Sequence, residues 1–164
     1  MTTSHSSKHT VAAFAALAIL CLAGPASALP AGIYITPTQV DTASPAFEKN
    51  LQKAKKSFLV QEGGKWHFYF VAYLNKPAPA DQLNIVFYDA KAKGPQEPNA
   101  FPINTRQGAK IVASEATVSP EDGIKPGPFN VKITVLVGGK EVTFAQTKLE
   151  LKPPAPAAPA TPAK

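Results

Sequence analysis

FNVKITVLVGGKEVTFAQTKLEL, Phe129 to Leu151, alternates apolar and polar residues on both sides of Gly138-Gly139. Period-two alternation marks a strand with one buried face, and a two-glycine loop supplies the positive φ that a type I′ turn needs at both centres. Such a loop pairs Val137 with Lys140, so Val135 faces Val142 and Ile133 faces Phe144. Phe129, Val131, Ile133, Val135 and Val137 then share one face with Val142 and Phe144. After Phe144 the apolar phase moves by one, to Ala145, Leu149 and Leu151, and a β-bulge is expected there.

Working outward from this hairpin, the same pattern recurs in shorter runs. GIYIT (Gly32 to Thr36) reads as a first strand ended by Pro37, and WHFYFVAYL (Trp66 to Leu74) as a second, entered from Gly63-Gly64. LNIVFYDA (Leu83 to Ala90) is expected to be its partner. FPIN (Phe101 to Asn104) reads as an edge strand, because Pro102 cannot donate to a ladder. AKIVASEATV (Ala109 to Val118) reads as a further strand, stopped by SPEDG.

One segment departs from period two. In SPAFEKNLQKAKKSF (Ser44 to Phe58), Phe47, Leu51, Ala54 and Phe58 fall at helical spacing, with Lys49, Lys53 and Lys56 opposite. Ser44 stands at an N-cap and Pro45 at the first helical position, so a short amphipathic helix is expected, a polar strand being the alternative.

IKPGPFNVKITV, Ile124 to Val135, resembles the entry to a late strand of fibronectin type III and related immunoglobulin-like domains. Ile124, Lys125-Pro126-Gly127, Phe129, Val131 and Ile133 carry the resemblance, with Phe129 in place of a tyrosine and one position early. The resemblance implies a fold and no particular activity. With the strand count, it implies an all-β, antiparallel immunoglobulin-like sandwich of about seven strands with a short N-terminal helix. A small β-barrel is the alternative.

The ends of the sequence read differently. Lys8, then the apolar run Val11 to Gly24, then Ala26-Ser27-Ala28 follow the order of a secretory signal, with cleavage expected after Ala28. Leu20 before Cys21 disfavours a lipoprotein site. Residues 29–152 are expected to form one domain, and Pro153 to Lys164 a disordered proline-alanine tail. The product is expected in the periplasm or outside the cell, and the alanine-proline bias fits a high-GC bacterium. No transmembrane segment is expected in the mature chain.

Processing at Ala28 removes Cys21, the single cysteine, along with two of the three histidines and the single methionine. His67 is then the one soft metal ligand, so no metal or other cofactor is expected. Glu121-Asp122-Gly123 lacks the spaced oxygens of a calcium loop. No nucleophile elbow or phosphate-cradling glycine loop is present. Asp81, Asp89, Glu97 and Glu115 could in principle supply a glycosidase pair, but nothing selects two of them. The chain therefore reads as a non-enzyme.

Charge points to partners instead. Losing Lys8 takes the seventeen basic residues to sixteen against eleven acidic, a formal charge of about +5. Lys49, Lys53, Lys55 and Lys56 form a candidate basic patch toward an anionic surface polymer. Nucleic acid is not expected with a single arginine, Arg106.

Within KWHFYFVAYL, alternation places Trp66, Phe68, Phe70, Ala72 and Leu74 inward. It leaves His67, Tyr69 and Tyr73, with Tyr88 of LNIVFYDA, as a candidate binding face that the helix could also cover. The expected function is an exported, non-catalytic binding or structural module that meets a protein or a surface polymer through a sheet face or edge strand. Alternatives are a carbohydrate-binding module using exposed tyrosines, a periplasmic assembly factor or chaperone, and a carboxylate-based hydrolase. Oligomeric state is left open.

Overall fold

The computed structural model describes residues 29–155. The segment read as a secretory signal and most of the proline-alanine tail lie outside the described residues. Those described form a mainly β structure: eight strands in two sheets, and one short α-helix. The chain runs β1 (Gly32–Thr36), α1 (Phe47–Ala54), β2 (Phe58–Val60), β3 (Trp66–Tyr73), β4 (Gln82–Asp89), β5 (Asn99–Asn104), β6 (Ile111–Val118), β7 (Gly127–Val137) and β8 (Lys140–Lys152). A three-stranded sheet has the order β1-β3-β6, and a five-stranded sheet the order β2-β8-β7-β4-β5.

The sheets are layered by their inward side chains. Trp66, Phe68 and Phe70 of β3 are buried against Leu83, Ile85 and Phe87 of β4 and Val131 and Ile133 of β7. Phe87 is the hub, edge-to-face with Phe101 and Phe129 at 6.0 Å and with Phe68 of the opposite sheet at 6.4 Å. Such offset aromatic pairs add about 0.5–1.5 kcal/mol each beyond area burial.

The hairpin forms as its sequence dictates. Gly138 and Gly139 have φ of 57° and 76°, and Val137 pairs with Lys140 and Val135 with Val142. The bulge falls one residue earlier than expected: Thr134 faces Thr143 and Ile133 faces Ala145, leaving Phe144 as the extra residue. Both Phe144 and Ala145 are buried, so the apolar phase shift is satisfied at the bulge itself instead of after it.

Four further expectations are corrected. The architecture has eight strands and is not wholly antiparallel, because β2 pairs in parallel with β8, Leu59 opposite Leu151. The helix stops at Ala54 instead of reaching Phe58. Lys56 then donates its backbone N–H to the Ile35 carbonyl, which pulls the chain into extended β2 and leaves Phe58 42% exposed. No side chain caps α1: Ala46 is the N-cap, and Ser44 Oγ accepts the Ala46 N–H instead.

Last, β3 and β4 are not partners. Residues 75–81 carry the chain from one sheet to the other, held by Asn75 N–H to the Phe144 carbonyl and Ala78 N–H to the Ala109 carbonyl. Pro77 and Pro79 have no backbone N–H to donate, and the segment crosses the layer gap.

Candidate functional site

Helix α1 lies on the outer face of the three-stranded sheet. Leu51, with none of its surface exposed, packs with Tyr34, Val71 and Tyr73, and with the partly buried Val40 and Phe47. The Tyr73 hydroxyl donates to Glu48 Oε1 at 3.4 Å, and its ring meets Tyr34 edge-on at 5.7 Å. Burial, and then the Glu48 charge, push the Tyr34 hydroxyl above its ordinary pKa. The helix thus covers one end of the outward face and leaves the other open.

The four candidate face residues are accordingly not brought together. Tyr73 is buried beneath α1. His67 is exposed and Tyr69 half-buried on the open end of β3, their rings edge-to-face at 5.1 Å, with His67 Nδ1 and Thr117 Oγ1 sharing a hydrogen bond of 2.8 Å. Tyr88 stands on the other sheet, on β4. There its hydroxyl donates to Glu141, its ring lies under Lys132 Nζ at 4.3 Å, and Lys132 and Glu141 form an ion pair at 3.3 Å. Burial, then hydrogen bonding and charge from Glu141, push the Tyr88 hydroxyl up to about 12.

The open end of the three-stranded sheet carries a cleft of about 390 Å³, in which Tyr69 meets Thr36, Gln39, Thr42 and Glu115. It offers one aromatic ring, an amide, a carboxylate and hydroxyls. The candidate basic residues lie elsewhere. Lys49 and Lys53 are exposed on α1, Lys55 follows it with Nζ 5.0 Å from the Tyr34 ring centroid, and Lys56 sits in the connector.

Two of the four candidate carboxylates stand at the ends of β4, and Glu115 lies on β6. Asp81 Oδ1 accepts the Gln107 N–H at 2.7 Å, and Asp89 Oδ1 accepts the Lys91 N–H at 2.8 Å, at opposite ends of β4. Asp122 Oδ2 accepts both the backbone N–H and the hydroxyl of Ser119 at 2.8 Å, a capping box for a short 3-10 turn. Among the described residues no group of three or more His, Cys, Asp or Glu is placed to hold a metal ion. No helix there is long and apolar enough to cross a membrane.

Sheet edges supply the feature that the candidate residues do not contain. In an antiparallel ladder, alternate residues turn both backbone groups toward the partner and the rest turn them away. The Leu74 N–H donates to the Lys110 carbonyl, which fixes that alternation along β3 and β6. Val112, Ser114, Ala116 and Val118 therefore face β3, and Ile111, Ala113, Glu115 and Thr117 present N–H and C=O groups to the outer side.

The other three terminal strands are blocked or short, and β2 pairs only with Glu150, Leu151 and Lys152, leaving the outer side of β8 before Glu150 without a paired strand among the described residues. On β1 the outward Ile35 carbonyl is taken by Lys56. On β5 the Thr105 N–H bonds the Asp81 carbonyl, which turns Ala100, Pro102 and Asn104 outward, and Pro102 has no N–H to offer at the centre. β2 is three residues long, with Lys152 Nζ over the Phe58 ring at 4.1 Å. β6 has eight residues and no proline, and Ser114 and Ala116 stay half-exposed although they face inward. It is a long edge open to a further strand, with the outward Glu115 carbonyl accepting the Ser114 hydroxyl at 3.4 Å. Its sequence signal was the contrast between AKIVASEATV, rich in small residues, and FPIN with its central proline.

The two-sheet β architecture is the class that these observations define. No protein-family model, no curated protein and no solved structure matches the chain.

Proposed function

We propose that the protein is an exported, non-catalytic binding module of immunoglobulin-like fold that captures an extended segment of a partner protein along β6. The observation that carries this reading is the open, proline-free, eight-residue edge of β6. Strand addition gives affinity through backbone hydrogen bonds and specificity through pockets for alternate side chains. The cleft at Tyr69, lined by Ala113 and Glu115 of the same edge strand, lies where those side chains would fall.

Strand order supports the immunoglobulin-like assignment. With β2 set aside, the first, second and fifth strands share one sheet, and the seventh, sixth, third and fourth share the other. That is the A-B-E against G-F-C-C′ division of these sandwiches. Ile124, fully buried, and Phe129 enter β7 where the resemblance places a late strand. Export rests on the order of charge, apolar run and small residues before Leu29.

A displayed library of extended peptides tests the reading. Selected peptides should slow hydrogen exchange at Ile111, Ala113, Glu115 and Thr117, and should lose binding in Ala113→Pro, which removes one outward N–H and no β3 hydrogen bond. Selected peptides that protect another region would overturn it. The cleft favours one other reading, a saccharide stacked on Tyr69 beside Glu115 and Gln39. Polysaccharide retention that Tyr69→Ala abolishes and Ala113→Pro leaves unchanged would replace strand capture with it.

A further inference from the structure

We infer that the strand which β6 accepts is β6 of a second copy, in antiparallel register about a two-fold axis through Ser114. This rests on β6 being a pairing edge, as proposed above, and names its occupant. The self-pairing has few registers, and they can be ranked from the sequence of the edge. Only residues whose backbone groups point outward can form the hydrogen-bonded pairs, and these are Ile111, Ala113, Glu115 and Thr117.

Centring the axis on Ser114 places Ile111 opposite Thr117 and Ala113 opposite Glu115, each twice. All four outward residues of both copies are then used. Centring it on Glu115 sets two carboxylates directly opposite, which is destabilising. Centring it on Ala113 leaves Thr117 without an outward partner on the strand. The Ser114 register also covers Ile111, whose side chain is 46% exposed, with the methyl of Thr117.

The product is one continuous six-stranded sheet, β1-β3-β6 followed by β6-β3-β1 of the other copy. An axis perpendicular to the sheet keeps both outer faces on the same side, so the two Tyr69 clefts lie together across the new seam. Self-pairing also answers the hazard of an open edge, which elsewhere in this fold is met by Pro102 on β5 and by Lys56 on β1.

The test uses the exported form beginning at Leu29, which carries no cysteine, followed by sedimentation equilibrium between roughly 10 μM and 1 mM, the range for a small, mainly backbone interface. A concentration-dependent dimer is expected. Ala113→Lys, which sets a cation opposite Glu115 twice per dimer, should tighten it about threefold or more, and Ala113→Glu should weaken it similarly. A variant that merely misfolds could not reverse sign with charge.

Ser114→Cys adds a positional readout. In this register Ser114 faces its own copy in a non-hydrogen-bonded pair, whose roughly 4.5 Å Cα separation falls within disulfide range. Mild oxidation should cross-link Ser114→Cys and spare Ala116→Cys, which faces Val112. A monomer at every concentration overturns the assignment, as does a dimer indifferent to both Ala113 variants or one cross-linked equally through Ala116→Cys. Peptide protection of β6 in a strictly monomeric protein would leave edge capture standing and this inference refuted.

Discussion

Trp66 Nε1 donates to the Lys152 carbonyl at 2.8 Å, joining residues 86 apart in the chain. Trp66 opens β3 in one sheet and Lys152 closes β8 in the other, and the same carbonyl also accepts the Gln61 N–H. One buried indole thus ties the two layers together at the point where β2 leaves for β3.

Trp66→Phe should destabilise the fold by about 1–3 kcal/mol, from a lost hydrogen bond and the volume left by the smaller ring. Chemical denaturation followed by far-ultraviolet circular dichroism checks it. An unchanged midpoint would mean that the Gln61 bond alone suffices to seat the carbonyl.

Leu51 makes a second, more local prediction. It is the fully buried residue of α1 and the centre of the small cluster that covers Tyr34, Val71 and Tyr73. Leu51→Ala should cost about 2–5 kcal/mol. Because an eight-residue helix has little stability of its own, amides of residues 50–54 should exchange faster before the sheets do. Equal acceleration in β7 and β8 would show that the helix and the sandwich unfold as one unit.

These two sites show what the sequence made legible. Alternation identified β1, β3, β4, β6, β7 and β8, because each has an inward set such as Trp66-Phe68-Phe70 that only period two explains. The glycine pair at 138–139 set the hairpin register through Val135 and Val142. Pairing between distant strands was not legible. Leu83, Ile85 and Phe87 look alike whether their strand lies beside β3 or across from it, and only the proline-bearing crossover decides. Phe58 matched the helical period by coincidence of spacing, since Lys56 had already been drawn to the Ile35 carbonyl. The candidate site suffered most. Tyr69, Tyr73 and Tyr88 share a sequence phase, but sheet order and the helix send them to three environments, and the open edge is a property of backbone pairing that no single side chain announces.

Tyr88 carries a pH prediction. Its hydroxyl has a pKa of about 12 in the fold against an ordinary value of 10.0, from burial and then from Glu141. A raised folded-state value favours the protonated phenol, so this contribution to stability is complete below pH 10 and disappears as pH rises toward 12. Solvent screening keeps it small, because Tyr88 is only half-buried. Ultraviolet titration should show a late phenol that moves to lower pH in Glu141→Gln and vanishes in Tyr88→Phe, while Tyr34 remains displaced. A titration unaltered by Glu141→Gln would mean that burial alone sets the value.

Pro102 tests the logic of the edges from the opposite side. It occupies the central outward position of β5, between Ala100 and Asn104, so its missing N–H interrupts that edge. Pro102→Thr restores that donor with a residue suited to strands and disturbs no β4 hydrogen bond. The folded chain should tolerate the change with a stability shift within about 1 kcal/mol. Self-association, however, should rise beyond that of the parent chain, with species larger than a dimer at high concentration, because each copy then presents two open edges on different sheets. Light scattering after size-exclusion chromatography reads the outcome directly. If Pro102→Thr leaves the size distribution unchanged, an open backbone edge is insufficient for pairing in this fold, and side-chain complementarity along β6 must carry the association instead.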